Sequence, residues 1–134
     1  MADSFNLEII SPAGKVFSGA MKHVRAPGRE GSFGVLPGHT PFITPLKVGV
    51  IEGTTQSGGN LTVATSGGMA EVHGDRCVIL AETAEEKGAI DQERAKASLT
   101  RAEKRLTEKA PDLDTERARA AIARAMNRLK VIGG

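Results

Sequence analysis

The sequence predicts short β-strands forming an all-β sandwich or barrel, followed by a C-terminal antiparallel α-helical hairpin. Three observations predict it. Thirteen of the 16 Gly and five of the 6 Pro lie before residue 85, so the turn-forming residues are concentrated in the first part. Within that part, short β-prone runs are separated by turn signals. Beyond Gly88 the residues are mostly Ala, Arg, Lys, Glu and Leu, good helix formers, and their apolar positions repeat at helical spacing.

In chain order, the β-prone runs are Leu7-Glu8-Ile9-Ile10, Val48-Gly49-Val50-Ile51, Leu61-Thr62-Val63-Ala64 and Val78-Ile79-Leu80-Ala81. The punctuation is Pro12-Ala13-Gly14, Pro27-Gly28, Pro37-Gly38, Ser57-Gly58-Gly59-Asn60 and His73-Gly74-Asp75. Many short strands at such spacing favour closure into a sandwich or barrel. Helices are expected at about 92–108 and 115–131, interrupted by Ala110-Pro111-Asp112. Asp91 is placed to cap the first helix and Asp114 the second, each followed by a Glu in the opening turn, where the helix dipole favours a carboxylate. The apolar series Ala95, Leu99, Ala102, Leu106 and Ala118, Ile122, Ala125, Leu129 both step by four, three and four. Matched seams joined by a short loop predict an antiparallel hairpin with close axes, roughly 8 Å apart. The change of residue usage divides the chain into 1–86 and 87–134.

Composition narrows the function classes. With 134 residues, 40% hydrophobic and 25% charged, the chain can bury a core without disulfides or metals. Aromatics are 3%, all Phe, so a stacking platform for nucleic-acid bases is not expected. No apolar run approaches the roughly 20 residues of a membrane helix, and no direct membrane insertion is expected. The opening Met1-Ala2-Asp3-Ser4-Phe5 has neither a secretory nor a transit-peptide pattern, and the single Cys77 fits a reducing compartment as a core thiol.

Arg94, Arg101, Arg105, Arg117, Arg124 and Arg128 each immediately precede a seam residue. The hairpin therefore carries one guanidinium-rich edge, on which Arg124 and Arg128 repel at i, i+4 unless an anion answers them. Antiparallel geometry is expected to bring Arg94, Arg124 and Arg128 towards the N-terminus of the first helix. One reading is a phosphate-bearing ligand there. The other is that the arginines complement the helix dipole and pair with Glu86 or Asp91. Residues 1–84 hold six basic and seven acidic side chains, and residues 85–134 hold twelve and nine. The second part is thus mildly basic and suits an acidic partner or polyanion, but is too laced with carboxylates for a DNA-binding domain.

No catalytic constellation emerges. His23, His39 and His73 show no zinc-ligand spacing, and Gly28-Arg29-Glu30-Gly31 and Ser66-Gly67-Gly68 lack a phosphate-loop pattern and read as turns. Ser66 lies outside any GxSxG nucleophile elbow.

Residues 31–42, Gly-Ser-Phe-Gly-Val-Leu-Pro-Gly-His-Thr-Pro-Phe, resemble the GxxG[IV]xPGH[AT]P stretch of the epsilon subunits of bacterial F-type ATP synthases. Further stretches match in order: Phe17-Ser18-Gly19, Thr65-Ser66-Gly67-Gly68, Glu71-Val72 and Leu80-Ala81-Glu82-Thr83-Ala84. Ile90-Asp91-Gln92-Glu93-Arg94-Ala95 is similar to the family's [IL]DxxRA nucleotide motif, with Arg124-Ala125-Met126-Asn127-Arg128-Leu129 at the family's spacing. The resemblance implies a sandwich of about ten strands in 1–86, bound to the gamma subunit and the membrane c-ring, and a two-helix regulatory hairpin in 87–134. It implies a non-catalytic central-stalk rotor subunit, coupling c-ring rotation to the catalytic head, peripheral on the cytoplasmic face of the bacterial plasma membrane. Ring contact maps to Glu30, Ser32 and His39, with Ser32 where the family often has a carboxylate. The catalytic α and β subunits are implied as further partners, and the contact with the β subunits that blocks ATP hydrolysis maps to Arg117, Arg124 and Arg128. No cofactor is required; ATP as a regulatory ligand maps to Glu86, Ile90, Asp91, Arg94, Ala95, Arg124 and Arg128. The rival readings are a free-standing ATP sensor and a basic interaction scaffold.

Overall fold

The structure is a computed structural model and describes residues 3–108 and 114–133. Met1, Ala2, Gly134 and the predicted helix breaker Ala110-Pro111-Asp112 lie outside the described residues. The chain divides into two compact units, Met1–Glu86 and Lys87–Gly134.

Among the described residues the first unit has nine strands: β1 (Phe5–Ser11), β2 (Gly14–Gly28), β3 (Gly31–Val35), β4 (Phe42–Leu46), β5 (Gly49–Thr55), β6 (Asn60–Thr65), β7 (Gly68–His73), β8 (Arg76–Ala81) and β9 (Ala84–Glu86). They follow the order β1-β8-β7-β4-β2-β5-β6-β9, with β3 paired to β2, and the path closes because β1 also pairs with β2. The 15-residue β2 makes that closure. Its first half pairs antiparallel with β1, Phe5 opposite Met21, and its second half pairs with β5 and β3, Val24 lying opposite both Gly53 and Val35. Only β1 and β8 run parallel, Leu7 opposite Cys77 and Ile9 opposite Ile79.

Alternation fixes the inward face. Leu7, Ile9, Met21, Ile51, Val63 and Ile79 are fully hidden between the layers, with Cys77 beside them. Burial pushes the Cys77 thiol up to about 11, so at neutral pH it is an inert part of the core. Turn positions are met as expected at Gly58 and Gly74, both with positive φ. Pro27-Gly28 differs from its expected turn. It continues β2 in register with Ser32 and Gly31, and the turn itself is Arg29-Glu30. Proline withholds a donor from this strand, but its carbonyl still accepts from the Lys47 N–H at 2.9 Å.

Thr65-Ser66-Gly67-Gly68 is a crossing tied to a second crossing at Thr83. The buried Thr65 Oγ1 donates to the Thr83 carbonyl at 3.0 Å and accepts from the Gly67 N–H at 3.2 Å, while the Thr83 hydroxyl donates to Ser66 Oγ at 2.7 Å. Gly68 has φ +142°, and a Cβ there would collide with the Leu80 carbonyl, so any other residue is excluded.

The second unit starts with a 3-10 turn, Lys87–Ala89, and continues as α1 (Gln92–Glu108) and α2 (Thr115–Gly133), which form a hairpin. Asp91 Oδ1 accepts from the Arg94 N–H at 3.1 Å, and Asp114 Oδ1 from the Arg117 N–H at 3.0 Å. Both helices therefore begin at side-chain caps. Ala95, Ala102, Ala118 and Ala125 are buried, whereas Leu99, Leu106, Ile122 and Leu129 are half-buried. Small side chains occupy the line of closest approach and the larger ones flank it.

Candidate functional site

The most built feature of the hairpin is a cleft of about 600 Å³ along its arginine edge. From α1 it takes Arg101 and Arg105, from α2 Arg117, Arg124 and Arg128, over a floor containing Ala102, Ala118 and Ala121. These positions recur every three or four residues, so each helix presents one stripe to the shared groove. Arg124 and Arg128 are half-buried; Arg101, Arg105 and Arg117 are exposed. Ser98, which the reading of the sequence did not single out, also lines the cleft, and its Oγ accepts from Arg101 Nη2 at 3.1 Å. The signal available was its place one turn before Arg101 on the same face.

Among the described residues, no carboxylate forms an ion pair with Arg94, Arg105, Arg117 or Arg124. Of the two acids at the rim, Glu108 meets Lys104 at 3.8 Å and Asp114 caps α2. The edge thus keeps a positive field in a concave setting, where it attracts anions more strongly than on a flat surface.

The residues of the nucleotide-type motif distribute over several places. Asp91 and Arg94 share the first turn of α1 through the cap, Ile90 is half-buried just before it, and Ala95 is buried in the seam. Arg124 and Arg128 line the cleft, which Arg94 does not. Glu86 ends β9 in the first unit, opposite Val63.

At one end of the sandwich, Glu30 sits exposed on the two-residue β2–β3 turn and Ser32 lies exposed on β3. His39 belongs to the β3–β4 connection, where its N–H donates to the Leu36 carbonyl at 3.1 Å and Nδ1 lies 2.7 Å from the Thr40 carbonyl oxygen. The connection is held by rings: Phe33 meets Phe42 edge-on at 5.1 Å, and His39 meets Phe42 at 5.0 Å. The connection is thus held by aromatic packing and by His39's own backbone contacts, while Glu30 and Ser32 stay exposed.

Both units carry a family signature. Residues 4–87 match the model described as ATP synthase, Delta/Epsilon chain, beta-sandwich domain, and residues 89–133 match ATP synthase, Delta/Epsilon chain, long alpha-helix domain. The chain belongs to the ATP synthase delta/epsilon family. Curated relatives agree with that assignment. The ATP synthase epsilon chain of Syntrophobacter fumaroxidans is 51% identical over 132 residues, 98% of this chain and 97% of the relative. That of Brevibacillus brevis is 49% identical over 107 residues, 80% of this chain and 81% of the relative. Among solved structures, a chain of the Euglena gracilis mitochondrial ATP synthase (OSCP/F1/c-ring) shares the fold at TM-score 0.75 and 22% identity, covering 97% of this chain and 81% of that one. A chain of the Tetrahymena thermophila mitochondrial ATP synthase central stalk and c-ring aligns at TM-score 0.58 and 15% identity, covering 95% of both. The two-part fold of the delta/epsilon family is thus present here over nearly the whole chain, and no described helix is long and apolar enough to cross a membrane.

Proposed function

We propose that this chain is the non-catalytic epsilon subunit in the central stalk of a bacterial F-type ATP synthase. In this reading residues 1–86 bind the gamma subunit and stand on the c-ring, coupling its rotation to the catalytic head. The whole is then peripheral on the cytoplasmic face of the plasma membrane. The observation that carries the reading is the match of both units to the two domains of one family, together with full-length relatives named as epsilon chains. Glu30 and Ser32, on and beside the β2–β3 turn, and His39, in the connection whose flanking strands the Phe33–Phe42 pair joins, supply the ring-facing polar groups.

Residues 87–134 act as the regulatory arm. Arg117, Arg124 and Arg128 engage acidic groups of the catalytic β subunits and restrain ATP hydrolysis. ATP, held by Glu86, Ile90, Asp91, Arg94, Ala95, Arg124 and Arg128, stabilises the closed hairpin by its differential affinity. A thermal melt followed by circular dichroism reads this: millimolar ATP raises the hairpin transition, and an unmoved transition sinks the nucleotide role.

The stalk reading is tested in membranes of the native bacterium. The tagged chain co-purifies with gamma, α, β and the c-ring. A chain truncated after Glu86 still assembles but raises ATP hydrolysis. Isolation of the tagged chain alone overturns the reading, and unchanged hydrolysis removes the regulatory arm from it.

A further inference from the structure

The connection between β3 and β4 fixes the hydrogen-bonding sense of one imidazole. It opens with the turn Leu36-Pro37-Gly38-His39, in which the His39 N–H donates to the Leu36 carbonyl at 3.1 Å. Pro37 takes the first central position and Gly38, with φ +78°, the second. That is the type II arrangement, whose second central position glycine fills at no steric cost. Pro41 follows, and a proline holds the residue before it, here Thr40, in extended backbone.

The half-buried His39 is thereby held on three sides. Its N–H closes the turn, its ring lies 5.0 Å from that of Phe42, and Nδ1 lies 2.7 Å from the Thr40 carbonyl oxygen. A carbonyl oxygen only accepts, so Nδ1 carries the proton. A neutral imidazole has a single N–H, which leaves Nε2 with a bare lone pair. Among the described residues Nε2 of His39 has no hydrogen-bond partner. His23 differs: its Nε2 already meets Thr54 Oγ1 at 3.0 Å within the sheet.

We propose that His39 is a specificity-determining acceptor: the turn and Phe42 hold its Nδ1–H tautomer, so that Nε2 accepts a hydrogen bond from an N–H donor, a side-chain amide or guanidinium, on the c-ring. The donor's place on the ring rests on the stalk reading; the direction of the bond rests on the turn. A surface of carboxylates or carbonyls has nothing to give Nε2.

Two experiments at about pH 8, above the ordinary histidine range, test this. Long-range 1H–15N correlation spectra of the isotope-labelled chain show which ring nitrogen is protonated, and Nε2–H in place of Nδ1–H overturns the proposal. Substitution then separates a docking acceptor from a pin that merely holds its own loop. His39→Asn keeps an amide donor near the Nδ1 position and leaves nothing at Nε2. His39→Gln reaches the Nε2 position with a carbonyl acceptor and gives up the bond to Thr40. Catalytic head and central stalk, reassembled with each form of the chain, are titrated onto membrane vesicles stripped of them, and the concentration giving half-maximal ATP-driven proton pumping is read. His39→Asn raises it about fivefold, the weight of one neutral hydrogen bond, and His39→Gln raises it by about twofold or less. A loop pin reverses the order, with His39→Gln losing more. That reversed order, an equal loss in both variants or no loss in His39→Asn overturns the acceptor role and leaves the stalk reading intact. Absence of pumping with the unmutated chain overturns the stalk reading and the ring contact with it. The spectra use the unmutated chain, so a variant that fails to fold leaves the tautomer test standing.

Discussion

The sandwich hides Leu7, Ile9, Met21, Ile51, Val63 and Ile79 completely, whereas the hairpin hides Ala95, Ala102, Ala118, Ala125 and Val131 and leaves its Leu and Ile half in solvent. Each fully buried Leu or Ile contributes about 1.5–3 kcal/mol, and an alanine methyl closer to about 0.8. The sandwich also closes its hydrogen-bonded path through β1–β2, while the hairpin rests on two helices and their caps. Short helices are marginal alone and depend on tertiary packing. The difference teaches where regulation can reside: a ligand worth a few kcal/mol can shift the thin-seamed unit but has little leverage on the sandwich.

The comparison breaks most visibly at Ile79. Ile79→Ala empties a fully buried site on β8 and costs about 2–5 kcal/mol. Ala125→Gly in the hairpin seam costs about 1 kcal/mol from helix propensity. The chain has no Trp and no Tyr, so urea unfolding is followed by far-UV circular dichroism, separating the 222 nm helix signal from the strand signal. Ile79→Ala lowers the strand midpoint by about 1 M or more, and Ala125→Gly moves only the helix signal. If both variants shift one common transition, the two units unfold as a single cooperative body and the contrast drawn above fails.

Much of this contrast was legible in the sequence. Residues 5–9 alternate strongly enough to show their buried face, and the matched four-three-four series shows the hairpin seam, whereas the apolar run 77–81 reads as a strand without showing which side it buries. The arginine edge was legible because helical spacing assigns residues to a face. Spacing does not assign depth along a hairpin, so the grouping of Arg101 and Arg105 with Arg117 around one cleft, with Arg94 outside it, needed coordinates. The length of β2 was hidden for another reason: Lys22, His23 and Arg25 sit on its outer face, and Pro27-Gly28 imitates a turn inside a strand. Nor does local pattern reveal that β1 pairs parallel with β8, some seventy residues away, or that Thr65 hydrogen-bonds to Thr83.

The smallest expected effect tests whether the hairpin is as evenly marginal as its seam implies. Asp91 and Asp114 make equivalent bonds, 3.1 and 3.0 Å to the N–H three residues on, so each satisfies one otherwise orphaned donor. Asp→Ala at either cap should cost about 1 kcal/mol, and Asp→Asn, which keeps the accepting oxygen, much less. Because each carboxylate also faces the positive end of its helix dipole, part of the Asp contribution is electrostatic and fades with added salt, while the hydrogen-bond part does not. Helix melts at 222 nm in low and high salt separate the two. Equal losses for Asp91→Ala and Asp114→Ala mean that both ends of the hairpin open together. A loss confined to Asp114→Ala would locate the weak point at the junction of the two helices, beside Arg117, and would make that end of the cleft the one that opens first.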